Sequence, residues 1–143
     1  MTPRIFIDSS VLFSAAYSSK GHSRDLLLMG ATGEIKIIIS NFVLQETIRN
    51  LSGLKKPPLE ELDQIVQNAN IELVDATKQS VLDAAKLIVW KDAPIIAAAK
   101  TAKVNMLVSL DKKHILGRTD LEAYINASIV TPLVAFQTIR NPK

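Results

Sequence analysis

Four carboxylates in this chain stand at, or shortly after, the ends of short apolar runs or at the start of a helical segment. Asp8 follows the run Arg4–Ile7. Glu46 lies a few residues beyond the run that closes at Ser40. Asp92 opens the helical segment before the run 104–109, and Asp111 follows Ser109-Leu110 at the end of that run. Carboxylates gathered in one cleft repel one another, so either some take up protons or a cation neutralises them. Oxygen-only donors favour a hard cation, Mg²⁺ or Mn²⁺, over zinc or copper. Such an ion can activate water and neutralise charge on a phosphoryl group during in-line displacement. The chemistry these residue types suggest is metal-assisted phosphodiester hydrolysis. The chain has no Cys, which excludes a disulfide scaffold, an iron–sulfur cluster, a Cys-ligated zinc site and a cysteine nucleophile. With only two His, a His-rich metal site is not expected.

Each acid also has a local explanation. Asp8 could cap a helix starting near Ser10, Asp92 the helix that carries Pro94, and Asp111 a short turn over 112–116. Glu46 could pair with Arg49 three residues on, and Asp75 reads as a turn residue. Capping accounts for the acids singly. It does not explain why they collect at one end of the predicted strands.

The elements that must position them follow from alternating patterns. Strands are predicted over 4–7, 34–40, 71–74, 104–109 and 129–131, several of them β-branched. The near-continuous run Ile35, Ile37, Ile38, Ile39 fits a strand covered on both faces, as in a parallel sheet. Helices are predicted over 11–17, 23–29, 41–54, 58–68, 77–90 and about 94–101, with a C-terminal tail after 131. Strands separated by helices imply an α/β fold: a three-layer α/β/α sandwich around a mostly parallel sheet of four to five strands. In such a sheet the crevice lies beyond the carboxyl ends of the strands, where these acids fall. No Gly-rich phosphate loop follows the first strand, which disfavours a dinucleotide-binding fold.

A length of 143 residues with 48% hydrophobic side chains fits one domain over 1–143 and argues against wholesale disorder. The charge balance, 17 basic against 14 acidic, is mildly basic and compatible with a nucleic-acid partner. Charges interrupt every long apolar run, so no membrane span is expected, and the protein reads as cytoplasmic.

The motifs together resemble those of the PIN domain family, the nuclease fold of VapC-type toxins. Ile5-Phe6-Ile7-Asp8-Ser9-Ser10-Val11-Leu12 is similar to the family's first motif. Gln45-Glu46 resembles the second, Asp92-Ala93-Pro94-Ile95-Ile96-Ala97-Ala98-Ala99 the third, and Leu107-Val108-Ser109-Leu110-Asp111 the fourth. Ile129-Val130-Thr131-Pro132 looks like the closing strand. The resemblance covers nearly the whole chain. It implies an acidic cluster of Asp8, Glu46, Asp92 and Asp111 that holds Mg²⁺ or Mn²⁺, with Ser10 and Ser109 as supporting hydroxyls. It implies RNA as substrate, frequent homodimers and, in toxin members, a small antitoxin that blocks the site. The third motif carries one Asp and the fourth is followed by Lys112-Lys113-His114, so the acid set is minimal.

Lys112, Lys113 and Arg118 flank the expected site and are candidates for phosphate contacts. His114, beside two Lys, reads as a solvated surface group, and His22 as a surface or helix-start residue. Trp90, on a helix with Leu82, Ala85 and Val89, is expected in the core. Two other functions compete with a metal-dependent ribonuclease. One is a non-catalytic PIN-like module that binds RNA or protein. The other is a phosphoacceptor signalling domain, which would need paired acids after the first strand and a Lys after the last; Asp8-Ser9 and Thr131-Pro132 stand there instead.

Overall fold

A computed structural model describes residues 2–141. Its five strands, β1 (Arg4–Ile7), β2 (Lys36–Ile39), β3 (Glu72–Leu73), β4 (Met106–Val108) and β5 (Ser128–Val130), form one sheet in the order β3-β2-β1-β4-β5. All four pairings are parallel. Consecutive strand residues point to opposite faces, and Ile5, Phe6 and Ile7 are all fully buried, as are Ile37, Ile38 and Ile39. Both faces of the sheet are therefore covered, as a helix–sheet–helix sandwich requires.

Among the described residues seven α-helices connect the strands and an eighth follows the last: α1 (Ser9–Tyr17), α2 (His22–Ala31), α3 (Asn41–Ser52), α4 (Leu59–Asn68), α5 (Lys78–Ala84), α6 (Ala93–Ala102), α7 (Thr119–Ile125) and α8 (Pro132–Arg140). Helix α1 packs on α2, α3 and α4, while α6 packs on α5 and α7. None of the described helices is long and apolar enough to cross a membrane.

Three elements differ from the sequence expectation. The helix predicted over 77–90 stops at Ala84, and a short 3-10 turn follows at Trp90–Asp92. The β-branched pair Ile88-Val89 is a poor helix continuation; Ile88 turns into the core and Val89 takes an extended ψ of 143°. Trp90 consequently stands 66% exposed rather than in the core. The segment after 131 is helix α8: the Thr131 side chain accepts the N–H of Val134, and Pro132 occupies the first turn, where its missing N–H costs nothing. Helix α7, Thr119–Ile125, stands where no element was predicted; α3 begins at Asn41 as expected, capped by Ser40, whose hydroxyl accepts the N–H of Val43.

Candidate active site

Parallel register decides which chain segments meet at the carboxyl end of the sheet. Ile7 pairs with Val108, so the next residues, Asp8 and Ser109, emerge side by side although they are 101 positions apart. Asp8 caps α1, its Oδ1 accepting the N–H groups of Ser10 at 3.0 Å and Val11 at 3.3 Å. The Ser109 hydroxyl donates to Asp8 Oδ2 at 2.5 Å and accepts the N–H of Asp111 at 3.0 Å. The Ser10 hydroxyl donates to Asp8 Oδ1 and accepts the N–H of Leu110 at 3.1 Å. Two serines thus knit the exit of β1 to the exit of β4 and orient the Asp8 carboxylate between them.

Glu46 reaches the same place from α3. The Ser9 hydroxyl donates to its Oε1, while Arg49 approaches its Oε2 at 3.8 Å across one helical turn. The start of α3 is itself fixed by Asp75, whose two oxygens accept the backbone N–H and the side-chain amide of Asn41, each at 2.7 Å. The turn residue of the sequence reading therefore ties the exit of β3 to the helix that carries Glu46. Asp75→Ala should lower stability by about 1 kcal/mol, the net worth of such bonds, measurable by urea unfolding. An unchanged midpoint would show that α3 is held by packing alone.

Asp92 and Asp111 complete the cluster. The local-cap explanation holds for Asp111, whose Oδ1 accepts the N–H groups of Lys113 at 3.0 Å and His114 at 3.1 Å. It fails for Asp92, which makes no side-chain bond to the start of α6. Asp92 is only 8% exposed, and its buried Oδ2 has no hydrogen-bond partner. Asp8, Glu46, Asp92 and Asp111 all line one open cleft of about 500 Å³, together with Ser9 and Ser10. Two larger surface cavities, of about 640 and 690 Å³, hold one carboxylate each, Asp83 and Glu34, and have no such cluster.

The electrostatics record the crowding. Burial pushes the Asp8 carboxyl above its ordinary range, against the pull of its hydrogen bonds from Ser10, Ser109 and Val11. Burial also raises Asp92, and the neighbouring charges of Asp111 and Glu46 raise it further, opposed by Lys91 and His114. A buried, unpartnered carboxylate oxygen facing other carboxylates is a poor arrangement for a bare protein and a good one for a cation. The residues present fit a hard divalent ion on that ground.

Three placements depart from the sequence reading. His114 is not a solvated surface group: its Nδ1 lies 3.3 Å from Asp92 Oδ2 and 3.7 Å from Asp111 Oδ2. Its spacing of three from Asp111, one helical turn, was the available signal. Arg118 has its guanidinium engaged within the chain. It binds both oxygens of Asp120 at 2.8 Å, the carbonyl of Leu87 at 2.6 Å and that of His114 at 3.3 Å. Arg118 thus holds the His114 turn, and Lys112 and Lys113 remain as the exposed cations beside the fourth acid. Ser9, adjacent to the expected Ser10, is the hydroxyl that reaches Glu46, a role that depends on where α3 lies in space.

A family model for the PIN domain matches residues 5–120, a stretch that contains all four acids. The chain belongs to the PIN domain family. Solved structures agree on the fold. PAE2754 from Pyrobaculum aerophilum superposes with a TM-score of 0.67 at 15% identity, covering 98% of each chain. VapBC2 from Rickettsia felis, solved bound to a DNA fragment from its promoter, gives 0.64 at 17% identity, covering 90% of this chain and 98% of that one. FitAB bound to an IR36 DNA fragment gives 0.57 at 15% identity, covering 90% and 94%. No curated protein matches the chain. In this PIN domain the acids of the four motifs share one cleft.

Proposed function

We propose that this PIN domain, taken as a single unit over 1–143, is a metal-dependent ribonuclease that hydrolyses RNA phosphodiester bonds. The observation that carries the proposal is the convergence of Asp8, Glu46, Asp92 and Asp111 on one cleft, with a buried Asp92 oxygen left without a partner. These four side chains would hold Mg²⁺ or Mn²⁺. When bound, the ion supplies positive charge against the developing charge on phosphorus and makes water more acidic.

The chain's own residues do the rest. Ser10 and Ser109 fix the Asp8 carboxylate in one orientation, and Ser9 does the same for Glu46. Water attacks phosphorus in line, the P–O bond to the leaving oxygen breaks, and that oxygen takes up a proton. Lys112 and Lys113, exposed beside Asp111, would meet the phosphates of the strand, and Trp90, beside the cleft-lining Lys91, would offer its exposed aromatic face to a base. The likeness to VapBC2 and FitAB favours a toxin partnered by a small antitoxin, and the reading takes the protein as a cytoplasmic homodimer.

The test is cleavage of unstructured RNA by clean protein in Mg²⁺, in Mn²⁺ and in chelator. Cleavage is expected with either metal and should fall to background in chelator. Cleavage that persists in chelator, or RNA binding without cleavage in both metals, overturns the proposal.

A further inference from the structure

We propose that His114 is a protein ligand of the metal at Asp92 and Asp111, giving a mixed nitrogen–oxygen donor set that selects Mn²⁺ over Mg²⁺. The inference rests on the metal-dependent reading above and adds a residue and a metal preference to it. Three donor atoms, one each from Asp92, Asp111 and His114, lie within 4.8 Å of one another. Adjacent donors around an octahedral ion with bonds of about 2.1 Å stand roughly 3.0 Å apart. The observed 3.3 Å and 3.7 Å from His114 Nδ1 to the two carboxylates are close to that spacing.

Asp92 Oδ2, buried and without a hydrogen-bond partner, has His114 Nδ1 beside it at 3.3 Å. Three ligand-type atoms from separate side chains thus converge on one point. The positions are also built. Asp111 spends Oδ1 on the N–H groups of Lys113 and His114, which leaves Oδ2 facing the ring. Arg118 grips the His114 carbonyl and, through Leu87, the segment leading to Asp92. Mn²⁺, a first-row transition ion, accepts an imidazole nitrogen among oxygen donors, whereas Mg²⁺ prefers oxygen throughout.

The experiment is pulsed electron paramagnetic resonance of Mn²⁺ bound to the full chain, with Mn²⁺ and Mg²⁺ affinities measured in parallel. Wild type should show ¹⁴N modulation from a coordinated imidazole. His114→Gln should lose the modulation and bind Mn²⁺ at least tenfold more weakly, with Mg²⁺ affinity changed less than about threefold. His22→Gln, at the other histidine, should keep both. If His114→Gln does not fold, the wild-type and His22→Gln spectra decide. Bound Mn²⁺ without nitrogen modulation overturns the inference and leaves the nuclease reading standing. Nitrogen modulation in a protein that cuts no RNA upholds His114 as a ligand and removes the nuclease reading. Failure to bind Mn²⁺ removes both.

Discussion

Asp92→Asn is expected to lower metal-dependent RNA cleavage on the order of 10³-fold while making the metal-free protein more stable. Both effects have one cause. Asp92 is buried, its Oδ2 lacks a partner, and its charge faces Asp111 and Glu46. In the proposed enzyme that charge is the reason a cation binds. Without the cation it is a burden on the fold. Asparagine keeps the shape, removes the charge and adds N–H groups that neighbouring carboxylates can accept. Relief of about 1 kcal/mol would raise the melting temperature by about 3 °C in a chain of this length. Parallel melts in chelator and cleavage assays in Mn²⁺ measure the two effects. A variant that cuts RNA at the wild-type rate would remove Asp92 from the mechanism. One that melts lower would show that its carboxylate is satisfied in a way the geometry does not reveal.

The second large effect concerns pH. The Asp8 and Asp92 carboxyls are both raised above their ordinary value of 3.8 by burial. Between that value and the raised one, the folded protein holds protons that the unfolded chain has released. Stability therefore falls as pH rises through this window, and it is greatest below the unfolded value. Surface pairs have the opposite sign. Arg118 lowers Asp120 to about 2, so that contribution is complete above the ordinary range and is lost only as pH falls through it. Above about pH 4, then, the site carboxylates set the slope. In chelator the melting temperature should decline as pH rises above the ordinary carboxylate value. Asp92→Asn should flatten the decline, and Mn²⁺ should restore stability at neutral pH. A melting temperature that climbs as pH rises above the ordinary carboxylate value in chelator would contradict the buried-acid picture.

How much of this was legible in the residues alone depends on the range of the interaction. Burial of Ile5, Ile37, Ile38 and Ile39 follows from runs of β-branched side chains, a local pattern, and it specifies a covered parallel sheet. The end of α5 at Ala84 was not legible, because apolar spacing continues past it to Trp90. A helix there would have buried Trp90; the chain turns at Ile88-Val89 and leaves the indole at the surface. The same turn brings Asp92 to the cleft without spending its side chain on a helix cap.

By itself the sequence determined the alternation of strand and helix, the family motifs, and the four acids that stand near the carboxyl ends of strands. Those features are written in nearest-neighbour patterns, which local sterics and burial read directly. Tertiary structure decided the partners. Ser109 meets Asp8 because Ile7 pairs with Val108, and a slip of one residue would part them. Ser9 meets Glu46 because α1 packs against α3. His114 meets Asp92, and Arg118 ties the His114 turn to Leu87, through contacts that join separate loops. Such meetings depend on register and packing angle, which no single segment encodes, and they turn a list of acids into a cleft able to hold a cation.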